Sequence, residues 1–326
     1  MLDLAPILAA PDDDAPRLAL AQKLRGDPLG TFLKLQCTSP GSPAAEKLLR
    51  AHYETWVGRK VAGAIDAMSA QFVRGFLDAI AFEHSMHADL SGPKILACLG
   101  QQSLSLVRRV TFIGGAGGAD ASRALNEAGK VLRGSPAKGP KIPAVRLLRD
   151  EVMERVREVR GLDDAAVIEL ARGRPLKLEV LTHCTRPNAL PDGALSTEAV
   201  VALGTAPGLP RLRALSIERC WPEELEDLAA VPLVARLEAL TFARFPGKDF
   251  TALPAALELP VKRLAFVDRQ RFDHRHELIE ERSLRLERDG ASWRATLSIP
   301  AGPDKKDTVK RLEKLLASTK KIRRRA

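Results

Sequence analysis

Three stretches of the chain share one order of apolar and polar positions: Leu212-x-x-Leu215-x-Ile217, Leu237-x-x-Leu240-x-Phe242 and Val261-x-x-Leu264-x-Phe266. Counted on the middle residue, the steps between them are 25 and 24 residues. Successive side chains of a strand face opposite sides, so the last two apolar residues of each stretch point one way and the residue between them the other. Less regular copies come earlier. They read Leu77-x-x-Ile80-x-Phe82, Val107-x-x-Val110-x-Phe112, Ile142-x-x-Val145-x-Leu147 and Leu178-x-x-Leu181-x-His183, with steps of 30, 35, 36 and 34 residues up to Leu215. Leu284-x-Leu286 reads as a shortened eighth copy.

A strand of this form recurring every ~20–29 residues marks a leucine-rich repeat. No single unit buries its apolar face alone, and stacking makes the core continuous. Glu218, Ala243 and Val267 follow the three best strands, so the asparagine that usually follows is missing and no regular ladder of that residue is expected. The expected fold is α/β: a small helical domain over 1–75, an irregular leucine-rich-repeat-like array with a capping hairpin over 76–300, and a basic C-terminal helix or tail over 301–326.

The pattern around the strands is helical. Asp12-Asp13-Asp14-Ala15-Pro16 supplies capping acids and a proline suited to a first helical turn. Gly26-Asp27-Pro28-Leu29-Gly30 breaks that helix, and Phe32, Leu33 and Leu35 begin another. Ser42 or Ser39 caps a longer helix over Ala45–Trp56 that ends near Gly58. Ser91–Ser103, Ala119–Leu132 and Asp150–Arg172 read as helices between strands, with Gly134–Pro143 as a loop. Asp289-Gly290 between alternating segments Ser283–Arg288 and Ala291–Ile299 signals a hairpin. Asp304–Lys321 reads as a last helix.

Four segments of the first quarter resemble, in order, the bacterial repeat-companion domain. They are Ile7–Leu18, Arg25–Gln36, Leu48–Gly58 and Phe72–Leu77, within roughly residues 2–82. The segment Leu20–Leu24 departs from it, being shorter and without the family's tryptophan. The resemblance implies a domain set in front of leucine-rich or similar repeats, and no reaction.

Composition and charge narrow the function. The chain has 326 residues and a formal net charge of +10, of which residues 303–326 hold +7, with ten Lys/Arg against three acids. The basic balance therefore belongs to the tail. One tyrosine and few other aromatics disfavour a base-stacking platform. The four cysteines have no C-x-x-C spacing and read as reduced thiols, the N-terminus has no basic region before its apolar run, and no run of 18 apolar residues occurs. A cytoplasmic protein is expected.

The candidate interaction face is the column of residues between the last two strand apolars: Ala81, Thr111, Arg146, Thr182, Ser216, Thr241, Ala265 and Arg285. Arg109, Glu218, Arg263 and Glu287 flank it. Such a groove suits a segment of a protein partner, and a non-catalytic interaction scaffold without cofactor or metal is the expected function. A second reading anchors nucleic acid or an anionic surface on Lys320, Lys321, Arg323, Arg324 and Arg325. A third, a metal-dependent enzyme, would use Glu83, His84 and His87, or the cluster Asp273–Glu277, although neither has zinc-hydrolase spacing. Gly114–Gly118 has the place of a phosphate loop, but Asp120 stands where its third glycine belongs.

Overall fold

The computed structural model describes residues 2–83, 91–113, 142–183, 197–217, 228–242, 253–272, 278–290, 292–298, 310 and 322–324. The chain is α/β, with strands and helices in each of two compact units, 1–158 and 159–326. Among the described residues no helix is long and apolar enough to cross a membrane.

The first unit begins with helices. These are α1 (Ala5–Ala9), α2 (Ala15–Lys23), α3 (Pro28–Thr38), α4 (Pro43–Val57) and α5 (Arg59–Ala62). Pro16, Pro28 and Pro43 each sit in a first turn, where a missing N–H costs nothing. The Asp27 carboxylate accepts from Leu29 N at 2.7 Å and the Ser42 hydroxyl from Ala45 N at 3.3 Å, satisfying helix-end donors. Phe32, fully buried, stacks on Trp56 (ring centres 4.8 Å apart) and meets the edge of Phe72 at 5.9 Å.

Phe72 belongs to β1 (Gln71–Val73), which pairs antiparallel with β2 (Phe76–Glu83). Arg74 and Gly75 make the turn with φ of 53° and 87°, the two left-handed positions that a tight hairpin needs. Parallel to β2 runs β3 (Arg109–Ile113), aligning Ile80 with Val110 and Phe82 with Phe112. Between them lie α6 (Ser91–Ala97) and a short 3₁₀ turn, Gln102–Leu104. Leu77, Ala79, Ile80, Ala81 and Phe82 are each at most 3% exposed, so β2 is buried on both faces.

Two expectations fail between residues 142 and 172. Ile142-x-x-Val145-x-Leu147 is no strand; Pro143–Leu148 is a helix, α7. A three-residue apolar step also fits a helix face, and burial of Ala144, Val145, Leu147 and Leu148 follows that face, with Pro143 opening the first turn. The strand falls inside the segment read as one helix, Asp150–Arg172. That segment holds a 3₁₀ turn (Glu151–Met153), β4 (Glu158–Leu162) and α8 (Asp164–Arg172). Gly161, with φ of 78°, cannot continue a helix, and the Asp163 carboxylate caps a new one by accepting from Ala166 N at 3.1 Å.

In the second unit the strands lie in sequence order from β4 to β11. Here β5 (Val180–His183), β6 (Ala214–Ile217), β7 (Ala239–Phe242) and β8 (Arg263–Phe272) are parallel. Leu181, Leu215, Leu240 and Leu264 align across them, each at most 2% exposed. Phe242 stacks on Phe266 with ring centres 5.3 Å apart. The helices α9 (Thr197–Thr205), α10 (Pro232–Arg236) and α11 (Leu253–Ala256) precede successive strands and bury Leu203, Val234 and Leu253.

Leu284-x-Leu286 is not a further parallel copy. It lies on β9 (Leu278–Asp289), which returns antiparallel along β8 and pairs Leu286 with Leu264. Asp289 and Gly290 then turn into β10 (Ser292–Ser298). In the basic tail only Lys310, which is helical, and Ile322–Arg324 are described; Ile322–Arg324 is β11, parallel to β10, with Arg323 opposite Arg294. Strand pairing satisfies backbone groups that β10 would otherwise leave open at the edge.

Candidate functional site

Strand register decides which of the expected site residues meet. Thr182 pairs with Ser216, Ser216 with Thr241, Thr241 with Ala265 and Ala265 with Arg285. Arg285 is opposite Thr296. These residues form one row across the second unit, on the face opposite the buried leucines, because neighbours in a strand point to opposite sides. A parallel row runs Ala239, Arg263, Glu287, Arg294.

Where the two rows cross β7 to β10, they enclose a cleft of about 390 Å³. Thr241, Ala265 and Thr296 make its floor, and Arg263, Arg285, Arg294 and Glu287 its charged rim. Small floor residues leave the space, and a short residue at Ala265 exposes the strand between the arginines. Arg263 lies 3.8 Å from Glu238 and Arg294 lies 2.8 Å from Asp289, both as solvent-exposed pairs. Exposed pairs of this kind contribute about 0–1 kcal/mol, so an incoming carboxylate displaces them at little cost. Planar guanidiniums bind carboxylates bidentately, which gives this rim a preference for acidic side chains.

The remaining expected residues are elsewhere. Thr111 is only 4% exposed, and Arg109 is half-buried with its guanidinium donating to Gln71 Oε1 at 2.8 Å. At β3 the strand face is therefore covered rather than open. Arg146 is exposed on α7 and belongs to no strand row, which follows from the helical reading of its segment. Glu218, Lys320, Lys321 and Arg325 lie outside the described residues, and Arg323 and Arg324 contribute backbone to β11. His84, His87, residues 273–277 and the glycines 114–118 also lie outside them.

Arg294 and Thr296 complete the cleft and were not among the expected site residues. Their signal was the Asp289-Gly290 turn, since its register sets Arg294 opposite Glu287. For chemistry, the site presents cations and hydroxyls without a nucleophile–base pair. The buried His183, 2.9 Å from Asp164, is fully covered and out of reach of a substrate. Among the described residues no group of three or more His, Cys, Asp and Glu is placed to hold a metal ion. No protein-family profile, curated protein or solved structure matches the chain.

Proposed function

We propose that this chain is a non-catalytic interaction protein: a repeat-companion-like helical part followed by a leucine-rich-repeat-like array, holding an acidic segment of a protein partner on its strand face. One observation carries the reading. Thr182, Ser216, Thr241 and Ala265 stand in register and lead into the cleft edged by Arg263, Arg285 and Arg294. The repeat part rests on the alignment of Leu181, Leu215, Leu240 and Leu264 across parallel strands. A sheet face of this kind is preformed, so little ordering opposes association. Carboxylates of an extended peptide would replace the exposed partners of Arg263 and Arg294, and its small side chains would pack on Thr241 and Ala265.

A displayed random-peptide library tests this. Selection on the native chain should enrich Asp- and Glu-rich peptides, and Arg263→Glu with Arg285→Glu should abolish their binding without unfolding the protein. Enrichment of the same peptides on the double variant would overturn the reading.

A second reading, attachment to nucleic acid, draws on the row that sets Arg323 of the tail opposite Arg294. Duplex DNA titrated at several salt concentrations separates the two. Nucleic-acid binding requires a log–log salt slope of about 0.9 per phosphate contacted, lost on removal of the tail.

A further inference from the structure

The first unit contains a separate cleft of about 260 Å³. Five guanidiniums line it: Arg17 from α2, Arg74 from the β1–β2 turn, Arg108 from the segment before β3, and Arg155 and Arg157 from the segment before β4. Only two carboxylates line it, Asp12 and Asp78. Asp12 is shared, 3.6 Å from Arg74 and 3.3 Å from Arg108. Arg74 also reaches Asp14 at 2.9 Å, and Arg108 reaches Asp78. Arg155 donates to the Leu8 carbonyl, a neutral acceptor. Cation therefore exceeds anion in an enclosed space.

Arg17 makes this cleft more than a surface charge cluster. The residue is only 4% exposed. Its Nη1 donates to the Asp13 carbonyl at 2.7 Å and its guanidinium lies 6.0 Å from the Phe76 ring centre, but among the described residues its Nε meets no acceptor. A buried guanidinium with one N–H unsatisfied is costly, and it cannot escape the cost by losing its proton. Burial, and next the like charge of Arg74, push its pKa down from the ordinary arginine value. Both effects are relieved by an anion.

The cleft also selects among anions. Guanidiniums from separate segments approach it from several directions. A tetrahedral phosphoryl group offers oxygens to all of them, whereas a planar carboxylate satisfies one fork. Val73, Phe76 and Leu106 supply an apolar side. The volume lies below the roughly 300–1,000 Å³ of sites for drug-sized ligands, so a few-carbon ligand fits and a nucleotide does not. We propose that this cleft binds a small phosphate monoester, with the phosphoryl group against Arg17, Arg74 and Arg108 and the carbon part against Val73, Phe76 and Leu106.

Calorimetric titration of the full chain at fixed ionic strength tests the proposal, with glycerol 3-phosphate, inorganic phosphate and succinate as probes. Glycerol 3-phosphate should bind saturably at one site and more tightly than the other two. Arg17→Gln and Arg108→Ala should each weaken it at least tenfold, and Arg50→Ala, at an exposed arginine of α4, should leave it unchanged. If Arg17→Gln does not fold, Arg108→Ala carries the test, because that side chain is 48% exposed. No saturation by about 10 mM overturns the site. Equal binding by Arg108→Ala and the native chain overturns its location. Succinate binding as tightly overturns the phosphate assignment, and inorganic phosphate binding more tightly overturns the role of the carbon part.

Discussion

The Arg288 guanidinium lies 4.4 Å from the centre of the Trp293 ring, across the β9–β10 hairpin. Arg288 also donates to the carbonyls of Leu259 at 2.6 Å and Val261 at 3.1 Å, and the Trp293 indole donates to the Leu257 carbonyl at 3.2 Å. Trp293 is 1% exposed. The pair thus ties the hairpin to the chain leading into β8. Trp293→Ala should destabilise the fold by about 3–5 kcal/mol through the cavity it leaves. Arg288→Ala should cost about 1–3 kcal/mol by leaving carbonyls without their donor. Urea unfolding followed by circular dichroism measures both, and a loss below 1 kcal/mol for the tryptophan would contradict this role.

Alkaline pH should weaken the first unit. Burial, and then Asp66, push the Tyr53 hydroxyl up to about 12 from 10.0, and burial pushes the Cys98 thiol up to about 11 from 9.0. Above pH ~9 the unfolded chain releases protons that the native state keeps, so this stability is complete below that value and declines as pH rises towards 12. Tyr53 is the single tyrosine, so absorbance of its phenolate reports it alone. Its midpoint should fall near 12 in the native protein and near 10 in denaturant. Tyr53→Phe should flatten the alkaline loss.

Two glycines should respond differently to alanine. A methyl on Gly208 would stand 2.0 Å from the Leu170 carbonyl oxygen and 3.0 Å from that of Gly173. Backbone atoms cannot rotate aside, so Gly208→Ala should cost at least about 2 kcal/mol. At Gly100, with φ of 69°, the methyl meets nothing within 4 Å. Only the left-handed backbone is then penalised, by about 1–2 kcal/mol, and Asn should recover part of it. Thermal melts of Gly100→Ala and Gly100→Asn compare the two costs.

His183 occupies the third position of the apolar pattern, filled by Ile217, Phe242 and Phe266 in the following strands. It is 1% exposed, and neither ring nitrogen makes a hydrogen bond among the described residues although Asp164 Oδ1 is 2.9 Å away. His183→Leu should therefore lower stability less than His183→Ala, because leucine fills the space although Asp164 loses its neighbour in both. Equal destabilisation by both variants would show that the imidazole itself is required.

The amino-acid pattern alone specified the parallel strands at 180–183, 214–217, 239–242 and 263–266, because alternation and a repeated step determine which side chains must be buried. It also specified the cap at Ser42, which acts within a few residues of the helix it begins. The same triplet could not identify the conformation of Ile142–Leu147, since a three-residue step fits a helix face as well as a strand, and packing chose the helix. Nor could it tell that β2 is covered on both faces, that β9 returns antiparallel, or that Ile322–Arg324 joins the sheet. Those outcomes depend on partners distant in sequence. The arginine clefts have the same origin. Arg263 and Arg294 flank Glu287 across the β8–β9–β10 register, and Arg17 and Arg108 line one cleft although ninety-one positions separate them, so tertiary structure brought these charges together.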